Sequence, residues 1–213
     1  MPDMLELPRI SFAVMAHPLR SDTALALGAL LACPVVFDDG CLEITNGNRA
    51  WAAYDPDASW HCVIQDDPLP IAGFTTQLQA ALAIVPQQTC VSLYTGTGRP
   101  MPRRIEAAVG KALRAGASWL SSESLHWGVG VAMPTSHIDD FLGWSPDDDP
   151  PYDERIGMFW RELGAPILYA QPSLVDHADG ASLVLHRRPP APVPRRAWTL
   201  GPSDAWNQDV IPI

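Results

Sequence analysis

Residues 60–70 read WHCVIQDDPLP. The apolar run Cys62-Val63-Ile64 stops at Gln65-Asp66-Asp67, and Pro68 follows. A short continuous apolar run is the pattern of a strand buried on both faces, as in a sheet covered by helices. Two adjacent carboxylates end it, with no Lys or Arg beside them in the sequence to neutralise them. A solvated turn is one answer, since Asp and Pro are ordinary turn residues. A divalent ion is the other: Mg²⁺ and Mn²⁺ take carboxylate oxygens and keep positions open for phosphate oxygens.

The segment before this stretch sets the fold class. Residues 10–15, ISFAVM, read as a buried strand, broken by His17-Pro18-Leu19-Arg20. Ser21 or Asp22 caps a helix that runs to Ala32. Pro34 stops it, and residues 34–37 form a second strand ending at Asp38-Asp39-Gly40. Strand, helix and strand within some thirty residues make a βαβ unit, which implies a parallel sheet. Ligands then bind beyond the carboxyl ends of the strands, where His17, Arg20, Asp38 and Asp39 lie.

After that unit, Asn46-Gly47-Asn48-Arg49 reads as a turn. Helical spacing of Phe74, Leu78, Ala81 and Leu82 predicts a helix over 73–84, and Ile105 to Leu113 predicts another. Residues 91–94 form a strand followed by a flexible Thr95–Gly98, and 128–133 form a strand with glycines where a backbone or ligand comes close. Thr135 or Ser136 caps a short helix through Leu142, with Asp139 placed for a capping box. Tyr152-Asp153-Glu154 opens a helix with the apolar stripe Ile156, Phe159, Trp160 and Leu163. Residues 166–170 make the last strand. The fold class is therefore α/β: one Rossmann-like domain over 1–185, a mixed, mostly parallel sheet flanked by helices. A Pro- and Arg-rich extended tail follows over 186–213.

Bulk properties narrow the function. The chain has 213 residues, 47% hydrophobic, enough for a real core. No apolar run reaches the roughly 18 residues of a membrane span. The N-terminal MPDMLELPRISFAVMAHP carries acidic residues where a secretory leader needs positive ones, so a cytoplasmic protein is expected. Cys33, Cys41, Cys62 and Cys90 form no CxxC pair and read as free thiols. Net charge is −10, which disfavours general binding to nucleic-acid phosphates unless a local groove is basic. From Arg187 onward the tail holds four of the 14 basic residues and two of the 24 acidic ones, so it is positive against an acidic body.

Several residues carry possible chemistry. Asp67, with Asp66 beside it, is the candidate metal ligand, and His177 is a second, since imidazole suits Mn²⁺. Arg20 and Arg49 can clamp phosphate. Asp153 and Glu154, in a first helical turn, meet the positive end of the helix dipole. Either can also act as a general base. Among the tryptophans Trp119, Trp127 and Trp160, Trp160 shares a stripe with Phe159 and reads as core. Trp127, beside Gly128 and Gly130, is the one open to stack on a sugar.

Taken in order, VMAHPLR (14–20), VVFDDG (35–40), NGNRAW (46–51), WHCVIQDD (60–67), GVGVAMP (128–134), YDERIGMFW (152–160) and PSLVDHADGASLV (172–184) resemble the sugar-nucleotide glycosyltransferases of the GT-A fold. The likeness is to small transferases of actinobacterial bacteriophages and to lipooligosaccharide-type transferases. It implies a metal-dependent enzyme moving a sugar from a nucleotide-sugar donor to a hydroxyl of a protein, glycan or modified nucleobase, with inversion as the expected outcome and retention as the alternative. It implies Mn²⁺ or Mg²⁺ on Asp67 and His177. The nucleotide-sugar would meet Ala16, His17, Arg20, Asp38, Asp39, Arg49, Gln65, Asp66 and Ser182. Trp127 would face the acceptor, and Asp153 or Glu154 would be the base. Gln65 departs from the usual Asp-x-Asp, bringing a hydrogen-bonding group without charge. The same residues also suit a second class, a non-catalytic sugar-nucleotide or glycan-binding protein on this scaffold.

Overall fold

The computed structural model describes residues 7–40, 43–98, 100–146, 150–178 and 194–213. In chain order the elements are β1 (Ile10–Ala16), α1 (Ser21–Leu31), β2 (Val35–Phe37), α2 (Glu43–Ala52), β3 (Trp60–Gln65), β4 (Pro68–Pro70), α3 (Phe74–Leu82) and β5 (Cys90–Ser92). They continue with α4 (Pro102–Ala115), β6 (Trp119–Ser122), β7 (Gly130–Pro134), α5 (Ile138–Gly143), α6 (Tyr152–Glu162), β8 (Ile167–Ala170), β9 (Val175–His177) and β10 (Val210–Pro212).

The fold is α/β. An eight-stranded mixed sheet has the order β10-β6-β8-β5-β7-β3-β1-β2. The pairs β1/β2, β1/β3, β5/β8 and β6/β10 are parallel, while β7 runs antiparallel to both β3 and β5, and β6 to β8. Strand side chains alternate between faces, and both faces here are covered. On β1, Ala13 and Met15 enter a core with Trp51, Phe141, Ile156 and Trp160, whereas Phe12, Val14 and Ala16 enter one with Ala24, Leu27, Phe74 and Leu78. The two cores explain why ISFAVMA and WHCVI are largely apolar rather than alternating, with Ser11 and His61 bonded to each other at 2.8 Å. Among the described residues no helix is long and apolar enough to cross a membrane.

Four local expectations are corrected. Asn46-Gly47-Asn48-Arg49 is not a turn but lies inside α2. Tertiary packing overrides the Asn-Gly turn signal: buried Asn46 donates Nδ2 to the Ala16 carbonyl at 3.2 Å, and Gly47 leaves room for the Tyr152 ring, into which a Cβ would collide. Thr135 caps nothing; residues 135–137 form a 3₁₀ turn ahead of α5, and the Thr135 hydroxyl donates to the Ala58 carbonyl at 2.6 Å. Thr95–Gly98 is pinned rather than loose, since Trp198 N donates to Thr95 O and Thr97 N to Arg196 O. Strand β8 is not the last. β9 and β10 follow it, and β10 lies in the expected tail.

Residues 194–213 pack back on the sheet. β10 pairs in parallel with β6, Trp206 lies against Trp119 with centroids 5.3 Å apart, and Trp119 Nε1 donates to the Asn207 carbonyl at 2.8 Å. Cys33, Cys62 and Cys90 are free, as read from the sequence, and Cys41 lies outside the described residues.

Candidate functional site

The carboxyl ends of β1 and β3 lie side by side, because Met15 is in register with Gln65. Asp66 and Asp67 follow at once. They are not a solvated turn: Asp66 is 6% exposed and Asp67 9%. Asp66 holds the loop after β1, accepting from His17 N at Oδ2 (2.7 Å) and from Arg20 Nη1 at Oδ1 (2.8 Å). The same Nη1 lies 2.6 Å from Asp67 Oδ2. The cation absent from the neighbouring sequence is therefore Arg20, delivered from 46 and 47 residues away by the β1–β3 pairing. Burial pulls its guanidinium pKa down, but its bonds to Asp66 and Asp67 and their charges outweigh that and raise it.

The small sheet brings His177 to the same place. β4 pairs antiparallel with β9, setting Pro68 opposite His177, and Ala178 N donates to the Asp67 carbonyl at 2.9 Å. His177 is buried in a strand, not in an exposed loop. Its Nδ1 sits 2.6 Å from the Ala178 carbonyl, so that nitrogen carries the proton. In the neutral ring Nε2 then presents its lone pair, 3.6 Å from Asp67 Oδ2. Asp67 Oδ1 is also buried, with no hydrogen-bond partner among the described residues. Among those residues no group of three or more His, Cys, Asp or Glu side chains is gathered for a metal ion. The orphaned oxygen and the Asp67–His177 pair nonetheless suit a hard ion that draws its other ligands from water and phosphate.

The remaining predicted residues distribute around this centre. Asp38 N donates to the Ala16 carbonyl at 2.8 Å, placing the end of β2 beside that of β1, and Asp38 Oδ1 accepts from Gly40 N within its own turn. Asp39 pairs with Arg49 at 2.9 Å in an exposed ion pair. Arg20, not Arg49, is thus the guanidinium on the acidic pair. His17 uses Nδ1 to accept from Leu19 N at 3.1 Å. Gln65 N donates to Val129 O at 3.0 Å, which brings the Trp127–Gly130 segment against the end of β3. Ser182 and the acidic loop 147–149 lie outside the described residues.

Asp153 joins the site through that segment. Tyr152 packs on both Gly47 and Gly128, and a Cβ on Gly128 would lie 3.5 Å from that of Asp153. Burial pushes the Asp153 carboxyl up to about 6, against the bond its side chain accepts from Glu154 N (2.9 Å), with the charges of Glu43 and Glu154 adding to the rise. Glu154 itself is exposed. Trp127 is half-buried in an aromatic wall, its ring edge-on to Tyr94 (5.7 Å) and Tyr169 (6.1 Å), and Tyr94 lies 6.1 Å from the His177 ring.

Sequence reading missed Tyr94, Glu43 and Arg196. Arg196 donates to Asp176 Oδ2 and to the His177 carbonyl, both at 3.2 Å, and Ala197 N donates to Asp176 Oδ1 at 2.8 Å. The run of basic residues in the tail was the available signal for Arg196; nothing local marked Tyr94 or Glu43. An open apolar groove of about 510 Å³ between α1 and β2, lined by Leu25, Gly28, Ala29, Ala32, Cys33 and Val35 among others, offers no comparable acid, base or ligand set. No protein-family model matches this chain, and no curated protein matches it.

Proposed function

We propose that the protein is a glycosyltransferase that moves a sugar from a nucleotide-sugar donor to a hydroxyl acceptor with inversion. The observation that carries this reading is Asp153: a carboxyl raised to about 6, beside a glycine segment bonded to the end of the strand that carries Asp66 and Asp67. A base with that pKa is ionised at neutral pH yet still binds a proton well, which is the compromise a general base needs. A protein that only bound sugar-nucleotides gains nothing from a desolvated carboxylate there.

Asp67 and His177 would hold Mn²⁺ or Mg²⁺, which supplies charge neutralisation for a departing diphosphate. Ala16, His17 and Asp38, at the ends of the first two strands, would receive the nucleoside, with Gln65 and Asp66 toward the ribose. Arg20, Arg49, Asp39 and Ser182 would complete the contact set implied by the resemblance. Trp127 offers an aromatic face to the acceptor. Asp153 takes the proton from the acceptor hydroxyl as its oxygen forms the new bond to the anomeric carbon. The bond from that carbon to the diphosphate oxygen breaks, and its electron pair leaves with the diphosphate. Glu154, one position on and exposed, is the weaker choice for base.

The test is a thermal-shift screen of uridine, guanosine, thymidine and cytidine nucleotide-sugars, with and without Mn²⁺, followed by release of free nucleotide. One donor should raise Tm, and Asp153→Asn should keep that rise while losing roughly two to four decades of turnover. A donor that binds and turns over equally in both proteins would leave only the binding-protein reading. Binding of none of the donors would remove both.

A further inference from the structure

Arg20 occupies the position at which an added cation would have to act. Its Nη1 touches Asp66 Oδ1 and Asp67 Oδ2, and that Asp67 oxygen is also the one facing His177 Nε2. The two carboxylates are not equivalent. Asp66 has a second anchor, the His17 backbone N–H on Oδ2, so it stays hydrogen-bonded if the guanidinium leaves. Asp67 has no such reserve among the described residues, where its Oδ1 has no hydrogen-bond partner. The Arg20 side chain is 20% exposed and springs from a 3₁₀ turn, Pro18–Arg20, that the His17–Asp66 bond holds in place. Part of that side chain therefore already meets solvent.

We propose that Arg20 is the exchangeable counter-cation of this site. In the metal-free protein it neutralises Asp66 and Asp67. A divalent ion on Asp67 and His177 displaces Nη1 from Asp67, because two cations cannot share one oxygen without strong repulsion. Asp66 keeps the loop in place, and the released guanidinium turns to the anionic diphosphate that arrives with the ion. This rests on the transferase reading for the diphosphate, but the exchange itself concerns only the ion and Arg20. Two consequences follow. Arg20 weakens metal binding in the absence of nucleotide, and a nucleoside diphosphate strengthens it more when Arg20 is present, since the coupling is reciprocal.

The experiment is calorimetric titration of Mn²⁺ into the full chain, as wild type, Arg20→Gln and Arg20→Lys, each with and without uridine or guanosine diphosphate. Circular dichroism checks the fold of the variants. Arg20→Gln should bind Mn²⁺ at least about tenfold more tightly than wild type when nucleotide is absent, from removal of one nearby positive charge. Arg20→Lys, which keeps that charge, should stay near wild type. Nucleotide should improve Mn²⁺ affinity less in Arg20→Gln than in wild type. In wild type, the side-chain ¹⁵N resonance of Arg20 should shift on titration with diamagnetic Mg²⁺, a readout that holds even if Arg20→Gln folds poorly. Equal or weaker Mn²⁺ binding by a folded Arg20→Gln, or an Arg20 resonance that Mg²⁺ leaves unmoved, overturns the exchange. If no protein binds Mn²⁺ while a nucleotide-sugar still binds and turns over, the exchange fails and the transferase reading stands. If the exchange is seen but no nucleotide-sugar binds, the reverse holds.

Discussion

Replacing Asp153 by Asn should make the protein more stable at neutral pH, and the size of the gain can be worked out beforehand. Burial lifts the carboxyl from 3.8 to about 6. A displacement of about two on the pH scale corresponds to about 3 kcal/mol between the two protonation states. A carboxyl with a raised folded-state pKa binds its proton more tightly when folded, so it favours folding below the unfolded value. That contribution is lost as pH rises through about 6. The amide is neutral at every pH and keeps an oxygen to accept from Glu154 N, so it escapes the loss. Asp153→Asn should therefore gain about 1–3 kcal/mol over wild type at pH 8, and nothing from this source below pH about 4. In a chain of this length each kcal/mol moves Tm by about 2–4 °C. Urea denaturation of both proteins at several pH values between 4 and 8 measures the difference directly. A gain that does not grow as pH rises through 6, or a variant less stable at pH 8, refutes the claim that Asp153 is held in a desolvated place. The same carboxyl predicts turnover that rises with pH through about 6 and then levels, since only the ionised form can accept the acceptor's proton.

Three further outcomes are expected. Asp67→Asn should abolish Mn²⁺ binding and, by removing one of the two carboxylates that Arg20 Nη1 bonds, cost about 1.5–3 kcal/mol of stability, the scale for a hydrogen bond to a charged group; calorimetry and chemical denaturation read the two. Gly47→Ala should destabilise by at least about 1–3 kcal/mol through overpacking against the Tyr152 ring, and should lower turnover as well because that ring carries Asp153; a neutral effect on both would show that α2 and α6 are not locked together. Arg49→Ala should change stability by no more than about 1 kcal/mol, because its pair with Asp39 is solvent-exposed on both sides, and thermal denaturation checks it.

Local signals were read well where one physical cause dominated. The β1–α1–β2 unit was legible because an apolar run, a proline and a helical stretch act within a few residues of one another. The end of β3 was legible for the same reason, since two carboxylates cannot continue a buried strand. The Asn46–Arg49 segment was misread because its helix depends on contacts with Ala16 and Tyr152, which are distant in the chain. β10 was invisible because a three-residue strand after a proline-rich run has no period of its own; it exists by pairing with β6 and by the packing of Trp206 on Trp119.

The site divides along the same line. The sequence by itself determined that carboxylates end β3, that His177 comes late, and that Asp153 and Glu154 begin a helix, because residue type and position within one element are local properties. Only the tertiary structure decided which charges meet. Strand register placed Arg20 on Asp66 and Asp67, the β4–β9 pair turned His177 toward Asp67, and the first turn of α6, packed on Gly128, left Asp153 half-buried and Glu154 exposed. Coulomb energies and desolvation depend on distance in space and on what excludes water, and neither quantity is written along the chain.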